Sequence, residues 1–467
     1  METRTIIPIA RIHQPLKLEI DIDNGQVIDS RSSGTMFRGF ELMLEGRDPR
    51  DATYLTQRIC GICSTAHGVA ATMAIEAACK LEVTRNASLM RNLIFGADVL
   101  QNHLRHFYLL CLPDYIRCPK IPPFEPQSDF DKRLHSSEND RVLEHYWKGI
   151  EMSRLAHQML AIYGGKAPHQ HGIVTGGTSM APDADRNNRF RGILKQLLEF
   201  IYECMLPDVE FLATRYNDHF NLGKGPGNFI SYGMFPQAGT GNRKFPSGVS
   251  IDGQQRDLNP SLITEDISHA WFAGPKAVEK PTDSASLPAK DQPQGYTWIK
   301  APRYDNKVME MGPLGRLWIS GDYRNGTSTM DRIVSRVLET KKVAEWMLEW
   351  LDELAPGQPT YTPFELPQSG EGMGLTEAMR GSLGHWLRIE NYKISHYQII
   401  TPTNWLFSPK DKSGQRGAVD ESLTGLQLQD KQDYSDVGRI VRSYDPCFSC
   451  SGHLIEPDGR VSQVRIC

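Results

Sequence analysis

Two short motifs constrain this chain more than anything else in it. RICGICSTAH, residues 58–67, sets Cys60 and Cys63 three apart, with His67 four residues further on; YDPCFSCSGH, residues 444–453, repeats the arrangement with Cys447, Cys450 and His453. A lone pair of this kind suits a redox dithiol, half a zinc site or chance. Two pairs suit one four-thiolate metal site, each pair chelating the ion while the fold supplies the rest. In a self-contained zinc knuckle the second pair follows the first by about 15–20 residues. Here almost the whole chain lies between them, so the fold itself must close around the site.

The flanking residues bear on which metal that is. Asp445 stands two before Cys447, the histidines follow their pairs at similar offsets, and FRGFE places Glu41 upstream of the first pair. Four thiolates saturate a structural zinc and leave these acids and imidazoles without a task. A second, harder ion would use Glu41 and His453 as ligands. From the residues alone three readings stay open: a buried multi-metal catalytic site, a structural zinc and a redox dithiol.

Composition narrows the setting. The 467 residues are 39% hydrophobic and 23% charged with a net charge of −4, ordinary for a globular protein, and give no electrostatic case for a nucleic-acid partner. No run of about 18 apolar residues is present, so any membrane anchoring falls to partners. The start, METRTIIPIARIHQP, lacks a basic stretch followed by an apolar one. The expectation is therefore a cytoplasmic chain or one exported with a partner that carries the signal, the cytoplasm being favoured. The other five cysteines, 79, 111, 118, 204 and 467, are scattered; the first four read as packed thiols.

Hydrophobic periodicity predicts one large, mainly helical unit with small β elements, an α+β chain without internal repeats. Residues 16–32 read as a hairpin around Asn24-Gly25. Helices are expected after the first cysteine pair, over 83–112, 138–163, 184–220, 328–354 and near 374–389. Gly-punctuated short strands fill 222–260, and 274–294 is the most loop-like stretch.

At this point the motifs become recognisable. RGFE, GRDPRDATYLTQRICGICSTAH, NHLRHFYLL, KAPRYDNKVMEMGPLGR, EAMRGSLGHW, TPTNW with SPKD, and RSYDPCFSCSGH stand in the order expected of a nickel–iron hydrogenase large subunit, which the chain resembles over nearly its whole length. The resemblance implies a fold of that family and reversible heterolytic cleavage of H2. It implies that Cys60, Cys63, Cys447 and Cys450 bind nickel, with Cys63 and Cys450 bridging to an iron that carries carbon monoxide and cyanide. Arg380 would hang over the open metal position, Asp445 would hold it, Thr403 would bond a cyanide, and His67 would lie near a bridging cysteine. Glu41, His453 and the carbonyl of Ile399 match the ligands of a magnesium ion. Electrons would pass to an iron–sulfur small subunit, since this chain has too few spare cysteines for a cluster chain. A sensory hydrogenase subunit with slow turnover is the alternative within the family.

Three positions depart from the family pattern. His13 replaces the glutamate that takes the proton from a terminal thiolate, Met379 replaces a proline before Arg380, and Asn102 replaces an aspartate. An imidazole at position 13 can still relay protons near neutral pH. The tail LIEPDGRVSQVRIC resembles the extension that a maturation endopeptidase removes once nickel chaperones have loaded the metal. The expected domains are therefore 1–453, catalytic, and 454–467, a maturation extension.

Overall fold

The computed structural model describes residues 1–7, 9–13, 15–121, 124, 130–428 and 433–448. Cys450, His453 and the tail lie outside the described residues, and nothing below rests on them.

The expected hairpin is present. Strands β1 (Glu2–Ile6), β2 (Leu16–Asp23) and β3 (Gln26–Gly34) form an antiparallel meander. Asn24 and Gly25, both at positive φ, make the two-residue turn, the combination that matches strand twist. The helices also fall near their expected places: α1 (Ser64–Cys79), α2 (Arg85–Arg105), α3 (Ser136–Gly164), α4 (Ala184–Phe200) and α5 (Thr329–Glu353). Thr84 caps α2 by accepting from the Ala87 amide, and Ser328 with Asp331 closes a reciprocal cap on α5. The expected helices at 83–112 and 184–220 each widen into a π-helical turn, at His106–Cys111 and Ile201–Met205. The helices surround one apolar core; the N-terminal meander and the short middle strands enclose a second. Cys111 and Cys118 are buried as expected, whereas Cys79 and Cys204 are half-buried at the edge of the helical core.

One element differs in kind. The stretch read as a helix near 374–389 is a β-hairpin, β4 (Ser369–Ala378) and β5 (Gly381–Glu390), joined through Met379–Arg380 and extended by β6 (Lys393–Ile400). The glycines explain it. Gly370, Gly372 and Gly374 recur every second residue, a period that belongs to one face of a strand, and each would penalise a helix. That bare face receives the backbone of α1, itself rich in alanine. A methyl group on Gly372 would stand 1.9 Å from the Ala74 carbonyl oxygen, and one on Gly374 equally close to that of Ala70. Gly370 faces the Ala78 carbonyl oxygen less closely, at 3.1 Å for an added methyl. The strand thus runs antiparallel to the helix, and its tip, Met379–Arg380, arrives beside the N-terminus of α1, where Cys63 stands. Glycine spacing on one element and alanine on the other fix where the arginine meets the cysteine.

The second cysteine segment is brought in by the N-terminal stretch. His13 and Cys447 form a parallel bridge: the His13 amide donates to the Pro446 carbonyl at 3.3 Å, and the Phe448 amide donates to the His13 carbonyl at 2.9 Å.

Candidate metal centre

Cys60, Cys63 and Cys447 meet. Their sulfurs all lie within 4.8 Å of one another, and all three residues are buried. The Cys60 and Cys447 Sγ atoms are 3.3 Å apart, well beyond the roughly 2.05 Å of a disulfide bond. Three soft donors converging on one point in a dry interior form a site for a thiophilic metal. Local structure readies each of them. Cys63 is the residue at which α1 begins, so its sulfur sits at the positive end of a helix, where a thiolate is favoured. The Cys60 sulfur accepts from the Ile62 amide at 3.3 Å. Thr403 ties down Cys447: its hydroxyl donates to the Cys447 carbonyl at 3.1 Å and accepts from the Cys447 amide at 3.4 Å.

Arg380 and Asp445 stand together over this cradle. Arg380 Nη2 lies 2.9 Å from Asp445 Oδ1 and donates also to Asn102 Oδ1 at 2.9 Å. The Asn102 amide turns its nitrogen to Asp445 Oδ2 at 2.9 Å, so one side chain serves both members of the pair. Burial works against the Arg380 charge, yet Asp445, followed by Cys447, Cys63 and Cys60, holds its pKa above the ordinary value. Burial alone would raise the Asp445 carboxyl; Arg380, His106, Arg336 and His13 together keep it far below the usual range. Arg380 Nε and Nη1 have no hydrogen-bond partner among the described residues. A buried guanidinium holding two donors in reserve beside three sulfurs is arranged to meet something bound between them. Asp445 has a left-handed backbone with φ of 55°, unusual for a non-glycine residue, and these side-chain bonds help to hold it there.

His13 completes this side, its Nε2 4.0 Å from Asp445 Oδ1. Burial, then the neighbouring Arg380 guanidinium, lowers its pKa to about 4 against the opposing pull of Asp445, so it is neutral near pH 7. On the opposite side His67, buried in α1, is also held down, to about 4, by burial. Its Nδ1 lies 3.2 Å from His385 Nε2, and His385 Nδ1 lies 2.8 Å from the Tyr397 hydroxyl. Glu41 opens a short helix, Phe40–Leu44, that packs against β6, the strand that carries Ile399. Burial raises the Glu41 carboxyl; Lys300 opposes this and Glu265 adds to it. Glu41 is half-buried, and the structure puts it and Ile399 on adjacent elements, as ligands of one hard cation require.

Some functional neighbours were not singled out from the sequence. Arg336 and His385 each contact a candidate residue directly, His103 stands one polar contact further and Glu339 two further. The signal for Arg336 and Glu339 was their spacing, i and i+3, in phase with Val343, Met347 and Trp350 on the buried stripe of a helix whose other face carries Lys341, Lys342, Glu345 and Glu349. His385 was masked by reading its strand as a helix.

The fold and the site together define a protein that brings buried cysteine sulfurs from both ends of its chain together beneath a paired guanidinium, a donor set suited to a soft metal. The model of the nickel-dependent hydrogenase family matches residues 38–131, 127–326 and 320–453. The periplasmic [NiFeSe] hydrogenase large subunit of Desulfomicrobium baculatum is 37% identical over 97% of this chain and 95% of its own. The quinone-reactive Ni/Fe-hydrogenase large chain of Wolinella succinogenes is 30% identical over 100% and 98%. Among solved structures, a reduced, active Ni-Fe-Se hydrogenase from D. baculatum superposes with a TM-score of 0.94 at 37% identity, covering 97% of this chain and all of that one. The as-isolated, oxidised Ni-Fe-Se hydrogenase of D. vulgaris Hildenborough gives 0.94 at 36%. The chain belongs to the nickel-dependent hydrogenases. It has their large-subunit fold and their activity, the cleavage of H2 into protons and electrons at a nickel–iron centre. The sensory alternative gains no support from these relatives.

Proposed function

We propose that Cys60, Cys63, Cys447 and Cys450 together hold the nickel, with Cys63 and Cys450 shared with an iron that carries carbon monoxide and cyanide. The convergence of three buried sulfurs under Arg380 carries this reading. All four positions are cysteine here, so an all-sulfur donor set is assigned, in contrast to the relatives named for selenium. When bound, the nickel–iron pair supplies the electrophilic site that lets H2 be split into unlike halves.

The chain's own residues do the rest. Cys447 Sγ receives the proton. Arg380, fixed by Asp445 and Asn102, turns its remaining donors over the site and stabilises charge as it develops. His13, neutral and bridged to Cys447 through its backbone, takes the proton onward from the sulfur. The Thr403 hydroxyl lies against Cys447, and by releasing its one proton from the Cys447 carbonyl it would donate to a cyanide instead. His67 backs the cradle from α1. Glu41, the Ile399 carbonyl and His453 would hold magnesium, the hard-cation counterpart of the sulfur site.

Partners follow from the chemistry. The electrons must leave through an iron–sulfur small subunit. A maturation endopeptidase acting after nickel chaperones would cut between His453 and Leu454; the family match ending at residue 453 supports this division of the chain. No helix among the described residues is long and apolar enough to cross a membrane. The preference for the cytoplasm finds no support in relatives named as periplasmic and quinone-reactive, and export with the small subunit is the assignment we make.

The test is infrared spectroscopy of the purified complex. Stretches of iron-bound carbonyl and cyanide, together with nickel and iron and no zinc, are expected. Zinc without those bands would refute the reading. For His13, replacement by alanine should slow H/D exchange about tenfold while glutamate keeps it near the parental rate. Parental exchange in both variants would remove His13 from the proton path.

A further inference from the structure

A chain of buried charges extends away from Asp445 on the side opposite Arg380, and the steps proposed above make no use of it. Asp445 Oδ2 lies 3.3 Å from Arg336 Nη1, and the same nitrogen lies 3.1 Å from His103 Nδ1. On its other edge, His103 Nε2 is 2.8 Å from Glu339 Oε1. Glu339 is gripped by Arg316 through Nε at 2.7 Å and Nη2 at 2.6 Å, and Arg316 Nη1 donates to Glu377 Oε2 at 2.7 Å. Glu377 in turn accepts from the Tyr232 amide at 2.7 Å and the Ser382 hydroxyl at 2.6 Å. Every residue in this series is buried.

The helices explain why it can form. Arg336 and Glu339 are three apart on α5, and His103 enters between them from α2, next in sequence to Asn102. Hydrogen-bond chemistry then fixes the imidazole. A guanidinium offers donors only, so His103 Nδ1 must be the acceptor from Arg336. The ring proton therefore sits on Nε2 and is donated to Glu339, and the ring is neutral, because a proton on Nδ1 would face another N–H. Arg336 Nε has no partner among the described residues. Its contact with His103 is thus what keeps Nη1 from turning away from Asp445.

We propose that His103 is a positioning residue for H2 cleavage: by accepting from Arg336 it pins that guanidinium on Asp445, which holds the fork of Arg380 over the cysteine cradle. This rests on the role given to Arg380 above. The imidazole works as a rigid strut between two helices, and Glu339 and Arg316 behind it prevent it from rotating.

Two amides separate this role from packing. The asparagine side-chain oxygen falls where Nδ1 stands and can accept from Arg336. The glutamine nitrogen falls where Nε2 stands and can donate to Glu339, while leaving Arg336 unmet. H/D exchange is measured on the assembled large–small subunit complex, with nickel content and melting temperature determined alongside. His103→Asn is expected within about threefold of the parent and His103→Gln about tenfold slower, at equal nickel content. In an Arg380→Lys background, His103→Gln should cost less than about twofold, because its effect passes through Arg380. Equal rates for the two amides, or an undiminished tenfold loss in the Arg380→Lys background, overturn the proposal. A parental rate for Arg380→Lys alone overturns the Arg380 role and removes the end of the series with it. A slow Arg380→Lys with indistinguishable amide variants overturns the positioning role alone.

Discussion

Cys447→Ser should leave a complex that retains little nickel and exchanges H/D at least about 1000-fold more slowly than the parent, a loss equivalent to about 4 kcal/mol of barrier. The argument starts from the donor. A serine hydroxyl is almost the same size, so the bridge to His13 and the bonds to Thr403 can survive, and the fold should change little. What changes is the ligand: a hard, weakly acidic oxygen replaces a soft sulfur in a cradle whose other donors are sulfur. Metal affinity and folding around the site are coupled, so weak binding at one of four positions lowers occupancy of the whole. Cys447 has a second task that serine performs poorly, that of receiving the proton. Nickel analysis separates the two effects. A variant with full nickel and slow exchange would place Cys447 in proton transfer alone, and one with full nickel and parental exchange would remove it from the centre.

Much of this could be read in the sequence because metal chemistry leaves dense local signals. CxxC pairs with their histidines, and a hairpin turn such as Asn24-Gly25, are specified within a few residues. What the pairs did not reveal was how they meet, since that depends on contacts between distant elements. The hairpin carrying Arg380 shows the difficulty. Leu375, Ala378, Met379, Leu383 and Leu387 mimic a helical stripe, and their apolar signal outweighed the alternate glycines. Those glycines matter only once a second backbone is laid on them, which no local pattern reveals. The same holds for Arg336, His103 and Glu339. Each is an ordinary residue on an ordinary helix until two helices and the turn at Asp445 bring their polar atoms together in a dry interior.

Arg380→Lys should keep the nickel and lose the rate, with H/D exchange about 100-fold slower at unchanged metal content, the scale expected when a preorganised donor at developing charge is removed. The substitution preserves charge, so what it tests is geometry. One guanidinium nitrogen already serves Asp445 and Asn102, each at 2.9 Å, and the planar fork leaves Nε and Nη1 aimed elsewhere. A lysine ammonium is a single point on a flexible stem. If it pairs with Asp445, whose carboxylate is firmly ionised, nothing remains over the sulfurs; if it turns to the sulfurs, Asp445 is left with Arg336 and Asn102 alone. Either arrangement loses one half of what arginine does at once. The nickel ligands are untouched, so metal content should stay at the parental level, in contrast to Cys447→Ser. Parental exchange in Arg380→Lys would mean that a positive charge suffices. The fork, together with the close packing of β4 against α1 that delivers it, would then have no part in the chemistry.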